Sequence, residues 1–137
     1  MADITPTTAA VVTVVESLEQ ATLPAQEAIS PGQAVRIDPA TGRFTLANAT
    51  SAAEARIYGV AVGNHSIPAG YPVTAIRRGV LGGYTISAQY DAPVYLSNTD
   101  GALADAAGTV SVVAGRVLPG SAATLGSAQA KLLLLHL

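Results

Sequence analysis

Two histidines, nine carboxylates and seven basic side chains are the residues of this 137-residue chain with most scope for chemistry. His65 and His136 lie far apart in sequence, and neither stands in the HExxH spacing that sets two imidazoles on one helix face for zinc. Each reads as a lone loop or strand histidine. Asp91, Asp100 and Asp105 are the carboxylates a fold could gather into an acid–base pair. All three sit among turn formers, where aspartate is favoured because it hydrogen-bonds to its own backbone. The stretch Asn98, Thr99, Asp100, Gly101 looks like part of a calcium loop. That loop would need acids where Leu96 and Ala107 stand, so a hairpin turn is the better reading. With no cysteine there is no thiolate nucleophile, disulfide or cysteine-ligated metal. The chain has no GxSxG elbow, no phosphate-binding GxxxxGK[ST] loop and no GxGxxG after a strand; Gly82 and Gly83 lack the helix such loops need. No catalytic, metal or cofactor residues are assigned, and the chain is read as a non-enzyme.

Arg77 and Arg78 are the only adjacent like charges. Placed before Gly79 at an expected strand end, they either pair with acids on a partner or form a solvated terminus. The net charge of −2 offers no general field for a phosphate backbone, so nucleic acid is not expected as a partner. The densest apolar run, Leu132 to Leu135, falls far short of the roughly 20 residues that span a bilayer. No membrane partner is expected. The opening residues carry no basic residue before Arg36, unlike a secretory signal, so export by that route is not expected. The triplets at Asn48 and Asn64 that match a glycosylation acceptor then carry no weight.

The elements around these residues read as all-β. Alanine contributes 27 residues, against one Phe and no Trp, while Val, Ile and Thr number 14, 7 and 13. A core of small and branched side chains punctuated by 13 Gly and 8 Pro suits short strands and tight turns. Alternation bounded by turn residues predicts strands at 33–38, 43–47, 56–62, 72–77, 80–87 and 110–118, with shorter ones at 94–96 and 130–137. Residues 38–42 make the first pair a hairpin, and Gly59 marks a bulge or close backbone approach. Gly82 and Gly83 allow a bend that curls a small sheet into a barrel or sandwich. Residues 1–30 are read as an extended arm before a single β-domain at 31–137. One β-branched strand lies in the arm at 11–15, and Thr22 and Pro24 oppose a helix there. The arm cannot bury enough apolar surface by itself, so it is expected to be ordered by a partner. Five tyrosines supply most of the aromatic surface; with a single Phe in the core, some of them must be buried.

Five phrases in order resemble the capsid cement, or head decoration, proteins of tailed phages. They are AISPGQAVRIDPATGRFTLA at 28–47, SAAEARIYGVAVG at 51–63, AGYPVTAIRRG at 69–79, APVYLSNTDGALAD at 92–105 and VVAGRVLP at 112–119. Each alone encodes only strand and turn chemistry. The arm, the paired arginines and the closing KLLLLHL depart from the family's pattern. The resemblance implies a virion protein on the outer surface of the capsid, made in the host cytoplasm. It would clamp neighbouring major capsid protein subunits, commonly as a trimer. Val11, Val12 and Val14 of the arm, with Arg77 and Arg78, are the expected partner contacts, with an ordinary strand of the same domain as the other reading of the arm. The alternative function is a small β-barrel module on a virion or tail structure that recognises a carbohydrate or peptide. The scarcity of aromatics weighs against a sugar site.

Overall fold

The computed structural model describes residues 3–6, 12–119 and 131–137. Within them the chain forms eleven strands and no helix. In chain order these are β1 (Asp3–Pro6), β2 (Thr13–Pro24), β3 (Ala34–Ile37), β4 (Phe44–Leu46), β5 (Ile57–Val62) and β6 (Pro72–Gly82), followed by β7 (Tyr84–Thr85), β8 (Pro93–Leu96), β9 (Leu103–Ala104), β10 (Val113–Pro119) and β11 (Lys131–His136). They join into one antiparallel sheet in the order β4-β3-β5-β6-β11-β10-β8-β9-β1-β7, curled into a half-barrel. The all-β expectation holds.

The hairpin β3–β4 forms where the turn chemistry placed it. Asp38 Oδ1 accepts hydrogen bonds from the N–H groups of Ala40 and Thr41, and Gly42 supplies the positive φ of 70° that closes the turn. A side-chain hydrogen bond from Gln26, then the turn's own N–H groups, hold the Asp38 carboxyl below its ordinary pKa. The Asn98–Gly101 stretch is also a hairpin turn, joining β8 to β9. Gly59 is a point of close approach, because a Cβ there would lie 2.2 Å from the carbonyl oxygen of Ile76 on β6.

Strands 72–77 and 80–87 do not stay separate as expected. Arg78 and Gly79 do not interrupt the backbone; β6 runs through them to Gly82 and bends only at Gly83, whose φ is 94°. Gly79 makes this continuity workable. Its φ of 153° is a glycine conformation, and any Cβ would meet the carbonyl oxygen of Glu16 on β2 at 2.2 Å. β6 is thereby long enough to hold β5 and then β11 along one edge and β2 along the other.

Alternation along β5 and β6 buries side chains on both faces of the sheet. Val60 and Ile76 enter a large cluster inside the curl with Leu81, Leu96, Leu103 and Leu133. Ala61 and Ala75 enter a second cluster with Ala25, Ile29, Val35, Phe44 and Val73. The single Phe thus centres the smaller core, its ring 5.4 Å from that of Tyr58. Tyr84 is the buried tyrosine that the composition requires, and its hydroxyl donates to the carbonyl oxygen of Gly32 at 2.7 Å.

Candidate interaction surface

Residues 13–24, expected to belong mostly to a loose arm, form the longest strand among the described residues. β2 pairs with β6 from Thr13↔Gly82 to Pro24↔Pro72. The sequence pattern hid this strand because it does not alternate. Thr13 through Gln20 are exposed on both faces, so the ladder to β6, not burial, holds this half in place. From Ala21 the strand sinks towards the smaller core, and Ala25 and Ile29 beyond it are fully buried. Ile4 of β1 and Val12 are buried as well. The described residues of the opening segment are therefore held by their own chain, through backbone pairing and a few anchors that composition alone does not reveal.

Three register shifts shape the exposed half: two are extra residues on β2, and the third, between Glu19 and Gln20, passes over Arg77 on β6. Val15 has no partner between Val14↔Leu81 and Glu16↔Val80, and Leu18 has none between Ser17↔Gly79 and Glu19↔Arg78. Each is an extra residue in the ladder, a position where a bulge re-aims a side chain. Leu18 is 71% exposed and Val15 57%, the most exposed apolar side chains of this strand, with Val14 at 45%. Three of the seven large exposed hydrophobic residues among the described residues thus fall within one five-residue stretch. Along its outer edge β2 pairs with no other strand among the described residues. The two bulges and the carboxylates of Glu16 and Glu19 break that edge up, which disfavours indiscriminate strand addition. What β2 offers is a short ridge of backbone that carries three exposed apolar side chains among two acids.

The expected contact residues separate in the structure. Val11 lies outside the described residues. Val12 points inward and is 6% exposed, its side chain against Gly32, so it anchors β2 and is not presented to a partner. Val14 stands on the exposed ridge. Arg77 and Arg78 lie inside β6, not at a strand end, and both face Glu19 of the same chain, at 3.7 and 3.8 Å. Arg77 also lies over the ring of Tyr58, 5.5 Å from its centroid, and Arg78 Nε donates to the carbonyl oxygen of Leu137 at 3.2 Å. The pair therefore joins β2 to β6 within the chain. The exposed bulge positions of Val15 and Leu18 were not legible, because a bulge cannot be read from a β-branched run. Glu19 was missed as the arginines' partner because register, not sequence distance, brings them together.

The titratable groups weighed for chemistry stay dispersed. His65 Nδ1 lies 2.9 Å from the carbonyl oxygen of Ser66, and His136 sits opposite Arg78 at the end of β11. Asp91 adopts a φ of 65° in its turn and pairs with Arg116 at 3.0 Å, while Asp100 accepts from Asn48 Nδ2. Among the described residues no three His, Asp or Glu side chains are placed to share a metal ion. No helix among them is long and apolar enough to cross a membrane. No protein-family model matches the chain, and neither a curated protein nor a solved structure matches it.

Proposed function

We propose that this protein is a non-enzymatic virion component that binds the outside of an assembled phage capsid and cements neighbouring major capsid protein subunits. The observation that carries the reading is the ridge Val14, Val15, Leu18 on an edge strand. It is exposed apolar surface that the chain's own core does not use, and among the described residues no His, Asp and Glu side chains gather into a metal site. The order of strands is compatible with it: the five phrases that resemble the cement proteins fall on β3–β4, β5, β6, β8–β9 and β10 in turn. In this reading the ridge packs on an apolar patch of the capsid, and the flanking glutamates fix its orientation through opposite charges. Association as a trimer belongs to the same proposal. The deciding measurement is co-sedimentation with assembled heads and, separately, with free capsid subunits. Binding to heads alone, lost in Leu18→Asp, supports cementing; equal binding to free subunits, or none to heads, refutes it. Sedimentation velocity at micromolar concentration, with melting followed across concentrations, tests the trimer.

A further inference from the structure

Three of the seven basic residues of this net-negative chain converge on one groove that the ridge does not include. Arg36 of β3, Arg56 just before β5 and Arg77 of β6 line a cavity of about 610 Å³, with Ile37, Ile57 and Tyr58 among its apolar walls. The pairing of β3 with β5 and of β5 with β6 brings residues so distant in sequence to one place.

The guanidiniums are unequally satisfied. Arg77 is held by Glu19, the Tyr58 ring and, weakly, the Tyr58 carbonyl oxygen. Arg36 Nη2 reaches Glu54 at 3.4 Å, but Arg36 Nε is buried without a hydrogen-bond partner and is the only such side-chain atom among the described residues. Arg56 is exposed and makes no ion pair with any of them. Arg36 Nε has almost no accessible surface and lies out of a ligand's reach, whereas the exposed guanidinium fork of Arg56 is open to a carboxylate in its plane.

We infer that this groove binds a carboxylate side chain of an extended acidic peptide segment in a protein partner. Charge sets the class of ligand. Of the lining arginines, Arg36 pairs with Glu54 and Arg77 with Glu19, which leaves the charge of Arg56 unmatched by any ion pair among the described residues. One carboxylate neutralises it. A polyphosphate or nucleic acid would bring several charges into a chain that already carries nine carboxylates. The apolar walls, Ile37 and Ile57 among them, suit the neighbouring side chains of a peptide. The site is independent of the capsid reading, since it requires only a partner strand that carries an acid.

The test follows the arginine Nε–H signals by NMR in the intact protein. The probes are a blocked peptide of alternating glutamate and leucine, the same peptide with glutamine for glutamate, and inorganic phosphate. The glutamate peptide should shift the Arg36 and Arg56 signals saturably. The glutamine peptide should bind about tenfold more weakly, as expected for losing a charge-assisted hydrogen bond. Arg56→Ala, at an exposed position, should weaken the glutamate peptide to a similar extent while melting as the parent does. Equal binding of the two peptides, or no effect of Arg56→Ala, overturns the inference. Tighter binding of phosphate than of peptide makes the groove a free-anion site and also overturns it. Shifts of the same signals with protein concentration alone would assign the groove to a second copy of the chain. Head binding measured in parallel keeps the two proposals separate, because Arg56→Ala can fail here and still sediment with heads.

Discussion

Gly115 and Gly42 show how differently one added methyl group acts in this sheet. A Cβ on Gly115 would lie 1.8 Å from the carbonyl oxygen of Leu134, so Gly115→Ala must force β10 away from β11. At Gly42 nothing lies within 4 Å, and only the φ of 70° opposes a side chain. In urea unfolding, Gly115→Ala should therefore cost about 3 kcal/mol and Gly42→Ala about 1 kcal/mol. Similar losses would mean that the strands separate more easily than the close approach implies. Tyr84 gives a pH signature. Burial pushes its phenol well above the ordinary value of 10.0, and its hydroxyl donates to Gly32. The unfolded chain releases this proton near pH 10 while the folded chain keeps it, so unfolding gains from each rise in pH beyond that point. Stability is complete below pH 10 and should fall above it by up to about 1.4 kcal/mol per pH unit. Tyr84→Phe should remove that slope, at a cost of about 1–2 kcal/mol at neutral pH for the lost buried hydrogen bond. An unchanged slope in the variant would place the titration elsewhere.

β2 separates what orders a segment from what it presents. Its buried anchors lie beyond its ends, at Val12, Ala25 and Ile29, while Val15 and Leu18 sit on bulges in solvent. Val15→Asp and Leu18→Asp should shift stability by no more than about 0.5 kcal/mol. Deleting residues 1–30 removes Ile4 and Ile29 from the two cores and should cost more than about 4 kcal/mol. Thermal melts of the three variants check this, and a harmless truncation would show that the opening segment is an appendage. The same strand marks how far the sequence could be read. The turn at 38–42 was legible because proline, aspartate and glycine declare their backbone geometry, and β5 was legible because its bounds and apolar run agree. β2 was not, since a strand exposed on both faces leaves no alternation to detect. Nor was the continuity of β6 through Arg78 and Gly79, because Gly79 reads as a turn until the approach of Glu16 gives it another purpose. The groove was invisible for a related reason: Arg36, Arg56 and Arg77 are neighbours only through strand register.

At the scale of the whole molecule, spatial order departs from chain order at its centre. β11, near the end of the chain, lies between β6 and β10, and β1 near its start pairs with β9 and β7. The curl cannot close until both ends of the chain have arrived. The hairpin β3–β4, by contrast, closes over a six-residue turn from Asp38 to Arg43. Closing a long loop costs more entropy than closing a short one, and non-local sheets fold slowly for that reason. Refolding should take milliseconds to seconds, with the local hairpin and its packing on β5 formed before the β6–β11 ladder. Leu133 is fully buried where β11 meets Leu81 of β6. Leu133→Ala should then lose about 2–5 kcal/mol, nearly all as faster unfolding. Val35→Ala, whose strand partners lie within the β3–β4–β5 unit, should slow folding by a larger share of its stability loss. Stopped-flow chevrons of the two variants decide the order. If Leu133→Ala slows folding while Val35→Ala speeds unfolding, the long-range β6–β11 pairing forms first, and the end of the chain nucleates the sheet.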